Sequence, residues 1–91
     1  MTYMLCRNTV RDFSKWFGIF RAHKEAHRQA GLILEYLWQD SDDPNTVRFL
    51  FRVDDLQKAQ SFIAAPEAGA AASDSGVLDG DYHFINAAGG Y

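Results

Sequence analysis

The sequence predicts an α+β domain of order β-α-β-β-α-β, a four-stranded antiparallel sheet with its helices on one face. Three observations predict it. Apolar residues recur at helical spacing from Phe13 to Gly31. Two stretches, Leu32 to Gln39 and Thr46 to Val53, alternate with period two on either side of a dense turn. A capped helical stretch and a last apolar strand then repeat the helix-to-strand order of the first half.

Thr2 to Val10 reads as the first strand, with apolar side chains on both of its faces, so both faces are expected to be covered. Asp12 is placed to cap the first helix and Gly31 to end it as a C′ glycine. At 100° per residue Phe13, Trp16, Phe17 and Phe20 fall in one sector, with His27 in its middle and His23 at its margin. In the next strand Leu32, Leu34, Tyr36 and Trp38 share a face. The run Asp40-Ser-Asp-Asp-Pro-Asn45 is a turn, and Val47, Phe49, Phe51 and Val53 share a face of the third strand. Pairing Trp38 with Val47 and Tyr36 with Phe49 sets all eight residues under the helices. Asp54 or Asp55 caps a second helix, Asp54 with Gln57 having capping-box spacing, and its stripe is Leu56, Ala59, Phe62 and Ile63. Pro66 opens a further short helix reaching about Ser73, and Gly76 ends it. Tyr82 to Ala87 is the last strand and residues 88–91 are a tail; the chain, residues 1–91, reads as one domain with no internal repeat or linker.

The other sheet face carries Ile33, Leu37 and Leu50 among Glu35, Arg48 and Arg52. It is too apolar for water and too charged for a monomer core, so a homodimer packed through this face is expected. At 91 residues the core is marginal alone, which points the same way. A net charge of −3, a pI near 5.4 and no two adjacent Lys or Arg argue against nucleic-acid or anionic-membrane partners. No apolar run approaches a membrane span and no secretory leader is evident. A single Cys6 excludes an intrachain disulfide and fits a cytoplasmic setting.

With these residues placed, the chain resembles the dimeric α+β barrel superfamily, and within it the small antibiotic-biosynthesis-monooxygenase-like proteins. The likeness rests on a Trp-containing first helix running into Ala30-Gly31-Leu32, and on Asp42-Asp43-Pro44-Asn45 before an apolar strand. It continues with Asp54-Asp55-Leu56 followed by Lys58-Ala59 and Phe62, with Ala65-Pro66-Glu67-Ala68, and with Gly76-Val77 before the last strand. These are turns, caps and core positions, so they mark a fold rather than an activity. The resemblance implies a ferredoxin-like fold, a dimer whose two sheets close into a barrel, and a ligand pocket in each subunit between sheet and helices. Members of the superfamily include cofactor-independent oxygenases of aromatic polyketides, cyclases, lactone isomerases, haem-degrading enzymes and proteins with no known activity.

The candidate chemistry lies under the first helix. His27, with His23, is the candidate general acid or base, since an imidazole titrates near neutrality and burial favours its neutral form. Trp16, Phe20, Tyr36, Trp38 and Phe49 are the candidate aromatic walls for a small-molecule ligand, with Tyr36 facing His27 as a possible hydrogen-bond partner. The bland alternative is a core histidine in a packed core. His23 and His27 stand at i, i+4, as metal ligands can. The stretch is not HExxH, however: Glu25 lies on the other side of the helix and no third ligand is placed, so no metal and no cofactor is expected. Arg7, Asn8 and Asn86 are polar residues at sheet positions, each either reaching a pocket or pairing at an edge or dimer face, for instance Arg7 with Glu35. Cys6 reads as a small buried residue, and the face of His83 is open. The expected function is a small-molecule-binding dimeric barrel, acting as a cofactor-independent oxygenase, cyclase or isomerase on an aromatic or polyketide-like substrate. The alternatives are a non-catalytic ligand-binding or accessory dimer, and a haem-binding or haem-degrading protein.

Overall fold

In the computed structural model, which describes residues 1–90, the elements are β1 (Thr2–Val10), α1 (Phe13–Ala22), α2 (Lys24–Gln29), β2 (Leu32–Gln39), β3 (Thr46–Val53), α3 (Leu56–Ala64), α4 (Pro66–Asp74) and β4 (Val77–Asn86). They build one antiparallel sheet in the order β2-β3-β1-β4, the ferredoxin-like α+β arrangement the sequence predicts. Of the expected tail, residues 88–90 carry no regular structure and Tyr91 lies outside the described residues. The core sits between the helices and one sheet face. Trp16 from α1 and Ala59 from α3 pack on Met4, Cys6, Val47, Phe49, Phe51 and Val53.

Asp12 caps α1 by accepting from the Ser14 N–H at 3.2 Å, and Asp55 rather than Asp54 caps α3, accepting from the Lys58 N–H at 3.0 Å. With the cap at Asp55, Leu56 turns outward and is exposed, so the stripe of α3 is Ala59, Phe62 and Ile63 alone. Gly31 has φ +77° and its carbonyl accepts the Asp54 N–H at 2.8 Å, a turn that sets the start of β2 beside the end of β3. β4 begins at Val77, five residues before the alternation becomes visible at Tyr82. Its first half, Asp79-Gly80-Asp81, is polar because Arg7 on β1 pairs with both carboxylates, at 3.2 and 3.0 Å.

The single helix expected from Phe13 to Gly31 is broken at His23. In an unbroken helix the His23 N–H would reach the carbonyl of Ile19. That carbonyl instead meets the His23 ring at Nδ1, 2.8 Å away, while the His23 N–H turns to the carbonyl of Phe20 at 3.1 Å. The side chain has displaced its own backbone from the ladder, and the chain restarts as α2.

The β2–β3 register differs from the expected one in its outer half. Leu32 pairs with Val53 and Leu34 with Phe51, as expected. A bulge at Glu35 then shifts the strand, so that Tyr36 opposes Leu50, Leu37 opposes Phe49 and Trp38 opposes Arg48. Two ends of the hairpin impose different registers. The Gly31–Asp54 contact sets one. At the turn the Asp40 N–H donates to the carbonyl of Thr46 at 2.8 Å, and Asp43 holds both the Asn45 N–H and the Thr46 hydroxyl, which sets the other. One extra residue on β2 absorbs the mismatch. The shift sends Tyr36 and Trp38 to the outer face and brings Leu37 into the core.

Candidate functional site

A cavity of about 460 Å3 opens between the sheet and the helices. Its floor is β1 and β3, through Met4, Cys6, Asn8, Phe49 and Phe51. Its roof is α1 and α2, through Trp16, Ile19, Phe20, His23 and His27. Phe62 and Ile63 of α3 close one side. On the other side α4 presents Ala68, Ala71, Ala72 and Ser75, spaced i, i+3, i+4, i+7, so this wall is built mostly of methyl groups and leaves room rather than filling it. Tyr82 and Gly80 of β4 complete the rim.

The walls are predominantly aromatic. Trp16, only 2% exposed, stacks on Phe20 at 4.7 Å between ring centres, and both rings meet Phe49, at 5.7 and 5.0 Å. His27 sits in the same cluster, 5.1 Å from Phe20, 5.2 Å from Phe51 and 5.8 Å from Phe62. Burial among these rings, with a smaller contribution from His23, pushes the His27 pKa down from 6.5 to about 4, so the ring is neutral at pH 7. Among the described residues no side chain or backbone group hydrogen-bonds its ring nitrogens, which leaves an N–H and a lone pair for a ligand or water. His23 stands beside it, ring centres 6.3 Å apart. Because the Ile19 carbonyl can only accept, the neutral His23 ring carries its proton on Nδ1 and its lone pair on Nε2, the atom turned away from its own helix.

Of the residues the sequence singles out, His27, His23, Trp16, Phe20 and Phe49 come together on this cavity. Tyr36 and Trp38 do not. The bulge at Glu35 puts them on the opposite face of the sheet, 59% and 46% exposed and stacked on each other at 5.2 Å. Tyr36 therefore cannot pair with His27. Asn8 reaches the cavity, whereas Arg7 pairs with Asp79 and Asp81, not Glu35, and Asn86 accepts from the Thr2 hydroxyl at 2.7 Å. Glu35 pairs with Arg52 instead, at 3.4 Å. Gly80 makes the room for the Asn8 side chain: a Cβ there would stand 2.5 Å from Asn8 Oδ1. Tyr82 and the alanine row of α4 carry no signal in the sequence, since β4 is polar where it begins and an Ala-rich stretch has no periodicity to read. His83 opposes Leu5 on the outer face. Cys6 is buried, and desolvation, with a smaller effect from Asp81, pushes its thiol up to about 12, too high for a nucleophile.

No family model and no curated protein matches the sequence. Solved structures do match the fold. One is SnoaB, a cofactor-independent oxygenase from Streptomyces nogalater, 18% identical over 98% of this chain and 94% of that one, with a TM-score of 0.75. A second, described as an antibiotic biosynthesis monooxygenase, is 19% identical over 98% of this chain and all of the other, with a TM-score of 0.71. The chain shares the fold of the antibiotic biosynthesis monooxygenases. The same fold extends to an uncharacterized NIPSNAP domain protein from Burkholderia xenovorans, 14% identical over 97% of this chain and 95% of that one, with a TM-score of 0.69. At these identities the likeness is one of architecture, and the monooxygenase fold by itself assigns no reaction here.

Among the described residues no cluster of three His, Cys, Asp or Glu side chains stands together as metal ligands, so His23 and His27 have no third partner. A haem does not fit either. No Lys or Arg lines the cavity to hold its two propionates.

Proposed function

We propose that this protein binds an aromatic or polyketide-like small molecule in the cavity and that His23 and His27 exchange protons with it, in a cofactor-independent oxygenation, cyclisation or isomerisation. One observation carries this reading. Two imidazoles share an aromatic cavity, one with its lone pair fixed on Nε2, the other neutral with both nitrogens unpaired among the described residues. The free Nε2 lone pair of His23 can take a proton from a phenol, an enol or an activated C–H, and the unpaired ring N–H of His27 can donate a hydrogen bond to the oxygen that gains charge. The Trp16–Phe20 stack at 4.7 Å, with Phe49 tilted against Trp16 and edge-on to Phe20, supplies apolar walls for an aromatic substrate. The SnoaB likeness agrees with chemistry of this kind. The volume is in the range of small-molecule sites, roughly 300–1,000 Å3.

The test is a paired substitution. His23→Ala with His27→Ala, in a protein that keeps its fold, is expected to abolish turnover of a hydroxylated aromatic substrate and to weaken its binding at least tenfold. Unchanged binding and turnover would reject the site. If only stability changes and binding persists, the protein is a ligand-binding module without acid–base chemistry.

The reading also includes a homodimer through the outer sheet face. That face exposes Tyr36, Trp38 and Ile85 around Leu5 and Leu50, an apolar patch that a second copy turned about a twofold axis would cover, while its Arg and Asp side chains are already paired within the chain. No helix of the described residues is long and apolar enough to cross a membrane. The single buried thiol suits a reducing cytoplasm.

A further inference from the structure

No Lys or Arg supplies positive charge to the cavity walls. Of the nine Lys and Arg residues in the chain, none lines it. Arg7 lies between Cys6 and Asn8 on β1, but its side chain points to the other face of the sheet and is held there by Asp79 and Asp81. Arg28 is tied to Glu25 at 2.9 Å on the solvent side of α2, and Arg21 lies over the Phe17 ring at 4.9 Å. His27 is no substitute for a cation, being neutral at pH 7. The amide of Asn8 is uncharged as well.

What charge the wall does carry is negative. Glu67 stands exposed at the start of α4, at the mouth. Asp81 borders the cavity as well, but its carboxylate is bound by Arg7 at 3.0 Å on the other face of the sheet and adds no free charge to the wall. An anionic group carried into this cavity leaves its hydration shell, meets no Lys or Arg and passes Glu67 at the mouth. An uncharged hydroxyl or carbonyl loses little, because hydrogen-bonding groups on His23, His27 and Asn8 can replace its water.

We propose that the cavity selects uncharged aromatic ligands over anionic ones of the same shape, so that carboxylated, phosphorylated and propionate-bearing molecules are rejected. This rests on the reading that the cavity is the ligand site. It makes the substrate a neutral hydroxy- or keto-aromatic, and the step before this protein one that leaves no free acid on the ring system.

Two fluorescent probes test this. N-phenyl-1-naphthylamine is neutral, and 8-anilinonaphthalene-1-sulfonate has the same frame with one added sulfonate. Both brighten on entering an apolar site. The neutral probe is expected to bind at least ten times more tightly to the wild-type protein. Glu67→Lys is expected to strengthen sulfonate binding severalfold and leave the neutral probe unchanged. Ala71→Phe, which fills the slot beside α4, is expected to weaken the neutral probe at least tenfold; Ala68→Leu serves if that variant misfolds. Equal affinities for the two probes would overturn the charge selection. So would a gap that Glu67→Lys leaves intact, which would reflect only the probes' own hydrophobicity. Binding that neither cavity-filling variant disturbs, or binding of neither probe, would instead overturn the cavity as ligand site, and the selection with it.

Discussion

At the scale of single residues His27 shows most clearly how position sets chemistry. Its place among Phe20, Phe51 and Phe62 makes the charged form costly, so its folded pKa lies near 4 against 6.5 for the free side chain. The unfolded chain therefore binds more protons between those values. Stability is full above pH 6.5 and falls as the pH drops toward 4, by about 2–3 kcal/mol at most. Glu25 and Asp40, held below their ordinary range by Arg28 and Arg48, lose their contributions only at lower pH. Urea titrations from pH 7 to 4.5 are expected to show this decline in the wild-type protein and a flattened profile in His27→Phe. An unchanged slope in the variant would remove His27 as its source. The helical spacing placed His27 on the apolar side correctly. The His23 ring on the Ile19 carbonyl was not legible, because helical periodicity assumes that every backbone N–H stays in the ladder.

At the scale of elements the β2 bulge decides which side chains belong to the core. Alternation predicted both strands of the hairpin and their inner pairs, Leu32 with Val53 and Leu34 with Phe51. It failed beyond Glu35, because period two carries no information about an inserted residue. Leu37→Ala is expected to cost about 2 kcal/mol as a core truncation, whereas Tyr36→Ser is expected to change the stability of the isolated subunit by less than about 0.5 kcal/mol. An unbulged register predicts the reverse order. Chemical denaturation at low protein concentration distinguishes the two. β4 makes the same point in a different way. Asp79, Gly80 and Asp81 look like loop, and become strand because Arg7 across the ladder donates to both carboxylates and Asn8 fills the space over the glycine.

At the scale of the whole molecule the two faces of one sheet differ. The helix face holds the cavity, and the outer face carries the exposed Tyr36–Trp38 stack among side chains paired within the chain, the face proposed to meet a second copy. Separating them predicts separable losses. Tyr36→Ser with Trp38→Ser is expected to shift the protein toward monomer in light scattering at micromolar concentration while leaving the neutral-probe site intact. A wild-type protein that is monomeric under those conditions would reject the dimer. The two aromatic residues that seemed to furnish the pocket thus belong to the proposed contact between copies.

The sequence by itself determined the order of elements, the caps at Asp12 and Gly31, the apolar stripe of the first helix, and from these the ferredoxin-like sheet. Each of these is local, readable from spacing and from what a given side chain does to its own backbone. The tertiary structure alone decided the strand register, the break at His23, the approach of Asn8, Tyr82 and the alanine row to the histidines, and the exclusion of every Lys and Arg from the cavity wall. Those depend on contacts between elements far apart in the chain, where two turns with incompatible registers had to be reconciled and one extra residue at Glu35 reconciled them.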